Sequence, residues 1–251
     1  MALSREEEGG SRGKHGFPRA GHGGAELDRM SSARNYNAWL LERARPYLGP
    51  RVLDVGAGIG TFTAELARTA GAVVALEPDP EEAEVLRKRF ADEDRVKVLQ
   101  CTAAELPADE APFDAAICFN VLEHVPDDVE ALRAVHARLR PGGHLLLLVP
   151  AHPALYGETD RAVDHVRRYD RTTLHRAVDA AGFELLELRH VNPVGAVGWA
   201  VSSRLLRRRE IPAGPLALYD RLVPLFRALD RLRLPVGLSL WAVTRMPAPT
   251  R

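Results

Sequence analysis

From residue 51 to residue 150 the chain alternates short, unbroken apolar runs with stretches whose apolar residues recur every three or four positions. VLDVG (52–56), VVALEP (73–78), VKVLQC (96–101), FDAAICFN (113–120) and HLLLLVP (144–150) predict five strands. They lack polar alternation, as strands of a parallel sheet covered on both faces do. TFTAELARTA (61–70), PEEAEVLRKRFA (80–91) and residues 127–138 predict helices between them, the second opened by a proline and acids. This rhythm predicts a doubly wound α/β domain. Ahead of it, SARNYNAWLLERARPYL places Tyr36, Leu40, Ala44 and Tyr47 on one face with Trp39 beside them, a helix over 33–47.

After Pro150 the rhythm changes. Residues 151–170 have no clear period, RTTLHRAVDAAGFE (171–184) predicts a helix closing at Gly182, and FELLELRHV (183–191) a strand. LSLWAVTRM (238–246) predicts a last strand, placed at the sheet edge, for seven strands in all. The segment 194–235 is apolar with arginines and expected to be helical in pieces, because Pro224 interrupts any single long helix.

Composition adds little to this picture. Basic and acidic side chains balance at 34 each among 251 residues, so charge gives no general argument for a nucleic-acid partner. The run RLLRRRE (204–210) is a local exception, but no aromatic residues interleave with it as in a base-stacking groove. Cys101 and Cys118 form no CxxC pair and read as thiols of a reducing compartment. A polar N-terminus without an apolar core, and the lack of an 18-residue apolar run, predict a cytoplasmic chain without a membrane span.

The stretch RVLDVGAGIGTF (51–62) carries the first chemistry. Gly56, Gly58 and Gly60 allow a tight turn and close approach of backbone to a ligand at the carboxyl end of a strand. The order is GxGxG, not the GxGxxG of dinucleotide folds, and no lysine precedes Thr61, which disfavours a nucleotide triphosphatase. Asp54, inside its strand, needs a hydrogen-bond partner or a cation. Glu77, closing the second strand, can accept both hydroxyls of a ribose.

In this order and spacing, VLDVGAGIG, VVALEPD, FDAAICFNVLEHVPD and LRPGGHLLLLVP resemble the motifs of class I S-adenosylmethionine-dependent methyltransferases of the small-molecule branch. The resemblance implies a Rossmann-like, seven-stranded sheet with an N-terminal helical lid and a C-terminal helical cap. It implies a disordered tail (1–26), a lid helix (27–50), a cofactor domain (51–193), a cap (194–237) and a final strand and tail (238–251). S-adenosylmethionine would lie on the backbone of Gly56, Ala57, Gly58 and Gly60, with Asp54 ordering the loop and helping to receive the ammonium. Glu77 would take the ribose, Pro78 the adenine, Asn120 the methionine part, and Val121 and Leu122 would line the pocket. Thr102, beside Ala103, stands where the family often has an acid at the adenine amino group. Tyr36 would be the lid residue.

Methyl transfer to a phenol-like acceptor gains from a base near neutrality, which histidine supplies. His165 and His124, ahead of His152, are the candidates. HPALYGETDRAVDHVRRYD (152–170) resembles a segment that shapes the acceptor pocket in a bacterial subset of these enzymes, with Tyr156, Asp160, Arg167, Arg168 and Tyr169 as substrate contacts. An Asp164–Arg168 pair, four residues apart, would pin the loop. His152, Asp160, Asp164 and His165 lack the compact spacing of a metal motif, so no metal is expected. The expected activity is methylation of an O or N of a small molecule, with a lipid-linked or apolar acceptor suggested by the leucines of 205–234. An NAD-dependent oxidoreductase and a non-catalytic scaffold that binds the cofactor are the competing readings.

Overall fold

The computed structural model describes residues 32–110, 112–199, 213–230, 232 and 234–248. The expected tail (1–26), the first residues of the lid segment and the basic run at 204–210 lie outside the described residues. Helix α1 (Arg34–Ala44) leads through a 3-10 turn into β1 (Arg51–Val55), α2 (Thr63–Thr69), β2 (Ala72–Leu76), α3 (Pro80–Arg89) and β3 (Val96–Leu99). Then come β4 (Phe113–Phe119), α4 (Asp128–His136), β5 (Leu139–Pro150), the short α5 (Glu158–Ala162), α6 (Arg171–Ala180) and β6 (Glu184–Val191). The chain closes with α7 (Pro193–Trp199), α8 (Ala213–Asp230) and β7 (Ser239–Arg245).

The seven strands form one sheet in the order β3-β2-β1-β4-β5-β7-β6. β1 through β5 are parallel, and β7 runs antiparallel to both neighbours. On one face α4 and α6 cover the sheet through Leu132, Val135, Leu174 and Val178. On the other, α1, α2 and α8 do so through Trp39, Leu40, Leu66 and Val223. Side chains buried on both faces explain why the strand runs lack alternation.

Two expectations are corrected. β7 is interior, and β6 is the edge strand. Six of the seven β7 positions are buried, whereas in β6 only Val191 is, the remaining positions being exposed or half-buried, as on a strand with one free side. α8 is one helix with Pro224 inside it. The proline sits on an exposed position while Val223 and Phe226 beside it are buried, so packing outweighs the one backbone bond it cannot make.

Helix starts follow local chemistry. Asp79 accepts from the amides of Glu81 and Glu82 ahead of Pro80, and Asp170 and Thr173 form a reciprocal cap on α6. α1 has no cap of its own, and Asp220 of α8 accepts the Asn35 and Tyr36 amides instead. Among the described residues no helix is long and apolar enough to cross a membrane.

Candidate active site

The glycine loop leaves β1 with Gly56, Gly58 and Gly60 at φ +68°, +54° and +84°. Only glycine adopts these angles cheaply. A Cβ at Gly56 would lie 2.6 Å from Val121 Cγ2, so the loop rests directly on the segment that follows β4. Glu77, just past β2, takes the Gly58 amide on Oε2 at 2.8 Å and the Asp79 amide on Oε1 at 2.9 Å. Asp54 accepts the Thr63 hydroxyl at 2.6 Å. Burial pushes Asp54 up to about 7; the Thr63 hydrogen bond pulls it back and the Glu77 charge adds to the rise. Burial also raises Glu77, against the Asp79 and Gly58 amides. The Ala57 and Gly60 amides donate to the carbonyls of Leu76 and Ala57, which fixes the loop, and the two buried acids beneath it suit a ligand that brings hydroxyls and positive charge.

The second part lies past the end of β4. Asn120 turns the chain at φ +55°, and a 3-10 turn (Leu122–His124) follows. Glu123 is 1% exposed, and neither carboxylate oxygen meets a hydrogen-bond partner among the described residues. Burial lifts it to about 7, against the nearby His165 charge. His124 packs edge-to-face on His165 with ring centroids 4.7 Å apart. Burial, then His165, lowers His124 to about 4, while a hydrogen bond to the Asp164 carbonyl opposes this. His165 Nδ1 lies 3.0 Å from Asp160 Oδ1, and its Nε2 lies 3.9 Å from Glu123 Oε1. One oxygen of Glu123 and one ring nitrogen each of His124 and His165 fall within 4.8 Å of one another.

Asp160 organises the loop after β5. It is fully buried and receives Arg168 Nε at 2.7 Å and the Gly157 amide at 2.9 Å. Burial alone would raise it, but His165 and Arg168 hold it below the usual range. The Val166 amide donates to the Glu123 carbonyl and ties the loop to the turn after β4, and the Tyr156 hydroxyl donates to the His165 carbonyl within the loop.

A model of the methyltransferase domain matches residues 26–188. The chain belongs to the methyltransferase-domain family. A ubiquinone biosynthesis O-methyltransferase of Xanthomonas campestris pv. campestris is 32% identical over 178 residues, 65% of this chain and 73% of that protein. A demethylmenaquinone methyltransferase of Clavibacter sepedonicus is 34% identical over 121 residues, 47% of this chain and 49% of that protein. Among solved structures, the Burkholderia thailandensis 1,6-didemethyltoxoflavin-N1-methyltransferase with S-adenosylhomocysteine superposes with a TM-score of 0.58 at 24% identity, covering 90% of this chain and 83% of that one. The [4+2]-cyclase SpnF reaches a TM-score of 0.58 at 19% identity, over 94% of this chain and 100% of that one. These structures share the fold, which by itself hosts more than one chemistry. The family fixes the enzyme class as an S-adenosylmethionine-dependent methyltransferase.

In this methyltransferase the structure brings together Asp54, the glycines, Ala57, Glu77, Asn120 and Val121 around one loop. Pro78 follows Glu77 directly, half-buried. Thr102 is bound through its amide and hydroxyl to Glu105, while Ala103 and the Leu122 side chain belong to the core. The Tyr36 hydroxyl bonds Asn192 and Ser239, its ring meets Trp39 and Tyr219, and burial pushes it up to about 12. It joins α1 and α8 to the ends of β6 and β7, beside the carboxyl end of β5.

His152 is also apart from the other two histidines, stacked on His190 at 5.0 Å. Of the expected substrate contacts, Asp160, Arg168 and Tyr169 are buried and engaged within the protein, Tyr169 donating to Asp128 at 2.8 Å. All three tie the loop to its surroundings. Tyr156 and Arg167 are half-buried, Arg167 paired to Asp128 at 2.8 Å. The loop pin is Asp160–Arg168; Asp164 instead turns the chain at φ +58°. The set His152, Asp160, Asp164 and His165 is not assembled; Glu123 takes part in its place. Sequence reasoning placed Glu123 beside His124 without giving it a role, and it missed Thr63, whose signal was a hydroxyl at a helix start nine residues beyond a buried acid.

Proposed function

We propose that this methyltransferase moves a methyl group to an oxygen or nitrogen of a small molecule bound between the end of β4 and the loop at 151–170. The observation that carries the reading is the group of buried Glu123 with half-buried His124 and His165, which begins two residues beyond the Val121 side chain that the glycine loop rests on. S-adenosylmethionine, when bound, supplies a methyl group activated by its sulfonium charge. Glu77 would hold the ribose, the backbone from Gly56 to Gly60 would face the amino-acid end, and Asp54 would receive the ammonium, relieving the buried carboxyl of its cost. Asn120 and Val121 would separate cofactor from acceptor. His165, oriented by Asp160, and His124 would face the group that loses a proton as the methyl arrives. Tyr156 and Arg167 remain as acceptor contacts. The relative named for O-methylation favours an oxygen acceptor, and exposed Leu218, Leu222 and Leu225 on α8 fit an apolar one.

The test has two arms. Titration calorimetry should give micromolar S-adenosylhomocysteine binding, weakened at least about tenfold by Glu77→Ala, with NAD not binding. A panel of phenols, carboxylic acids and amines, followed by mass of product, should yield a methylated acceptor. His165→Asn should then cut turnover about 100-fold or more and leave S-adenosylhomocysteine affinity within twofold. NAD binding in place of S-adenosylhomocysteine, or full turnover in His165→Asn, would sink the reading.

A further inference from the structure

The group past β4 has a property that methyl transfer alone does not explain. Glu123 is nearly inaccessible, yet both of its oxygens lack a hydrogen-bond partner among the described residues. Leaving a buried carboxylate bare costs several kcal/mol in order of magnitude, and folded proteins do so where an ion or a reaction needs it. The histidines beside it are set up in a complementary way. Asp160 occupies Nδ1 of His165, and the Asp164 carbonyl accepts from a ring nitrogen of His124. His165 is thereby fixed with Nε2 toward Glu123, and one ring nitrogen of His124 lies in the same group. A histidine that ligates a metal is held in this manner, by a carboxylate or carbonyl on the far side of the ring.

From this geometry we propose that Glu123, His124 and His165 form a binding site for a divalent first-row transition-metal ion of the Zn²⁺ class. Two imidazoles and one carboxylate suit zinc, iron, cobalt or manganese better than magnesium or calcium, which prefer all-oxygen shells. A tetrahedral ion at about 2.1 Å from each ligand holds ligand atoms roughly 3.4 Å apart. Here His165 Nε2 and Glu123 Oε1 are 3.9 Å apart and the whole set lies within 4.8 Å, so rotamer adjustments of about an ångström close it. The framework for that closure is rigid. Val166 is bonded to the Glu123 carbonyl at 2.7 Å, Tyr156 to the His165 carbonyl at 2.8 Å, and Asp160 is clamped by Arg168. The His165 side chain is 14% exposed, which leaves one side of the site for entry. A fourth position would fall to water or to an acceptor oxygen. With the ion bound, the His124 and His165 nitrogens are taken up as ligands and no longer act as bases, and an acceptor oxygen at the fourth position would have its pKa lowered by the ion instead; that catalytic meaning rests on the methyltransferase reading above, and ion binding does not.

The test uses the full chain, stripped with chelator and titrated with Zn²⁺ and separately with Co²⁺, each sample also titrated with S-adenosylhomocysteine. The expected result is one ion per chain with a dissociation constant in the micromolar range or below, and for Co²⁺ a visible absorption band of low-symmetry coordination. Glu123→Gln and His165→Asn should each weaken the ion at least about 100-fold and remove the band, while S-adenosylhomocysteine still binds. A wild-type chain that binds neither ion, or binding unchanged in both variants, overturns the proposal. Ion binding with S-adenosylhomocysteine absent would instead strike the functional reading and leave the metal site standing. If a variant does not fold, the wild-type stoichiometry and cobalt spectrum still decide the question.

Discussion

Asp54 keeps its proton to about pH 7 in the folded chain, against 3.8 for the free group. Between those values the folded state holds the extra proton, so stability falls as pH rises through the window and is level above it. Glu77, Thr63 and Cys118 are the groups facing it. Denaturation midpoints measured from pH 4.5 to 7.5 without cofactor should decline for the wild type and decline less for Asp54→Asn. An ammonium arriving at the carboxylate would reverse the sense, so S-adenosylhomocysteine binding near pH 6 should release a proton, visible as a buffer-dependent enthalpy. Gly56 offers a second test. Gly56→Ala must hold a left-handed angle and push the Val121 side chain, so it should cost about 1–3 kcal/mol and weaken cofactor binding, read by thermal unfolding and calorimetry. At this scale the sequence was most legible where a residue's role depends on its own strand: Asp54, the glycines and Glu77 stand at strand ends. It was least legible for Glu123, whose surroundings come from His165 and Asp160 some forty residues away. The partners of Tyr36 were hidden for a related reason, since Asn192, Tyr219 and Ser239 lie far along the chain from its helix.

Asp230 is where three elements meet. Ending α8 and 5% exposed, it receives Arg43 of α1 at 2.7 Å and Arg189 of β6 at 2.5 Å. The Arg43 guanidinium also lies 5.2 Å from the Trp241 ring centroid in β7. Removing this acid leaves Glu187, 3.6 Å from Arg43 and 3.2 Å from Arg189, as their carboxylate partner, so Asp230→Ala should cost about 1–3 kcal/mol, measured by urea unfolding, and loosen α8 first in hydrogen exchange. The helix boundaries were readable from caps such as Asp79 and Asp170, because a cap is a local event. Strand order was not, because β6 and β7 compete for one edge and only the burial pattern of their side chains separates them. The continuity of α8 through Pro224 was likewise hidden, being decided by Val223 and Phe226 against the sheet.

The whole molecule divides its labour along the sheet: the cofactor loop uses the β2–β1–β4 side, and the loop at 151–170 frames the other half from β5. That half is completed late. β7, the last strand of the chain, pairs with β5 on one side and β6 on the other, from His144–Arg245 to Pro150–Ser239 and from Glu184–Arg245 to Val191–Ser239. During synthesis the ribosome therefore delivers β1 to β5 as a sheet with one open margin, and β6 emerges with nothing to pair with. It must wait, its backbone bare, until residues 239–245 leave the exit tunnel. A chain stopped at Gly237 would lose not one strand but two, and nascent-chain proteolysis should find 184–191 cleavable until residues 239–245 have emerged to pair with it.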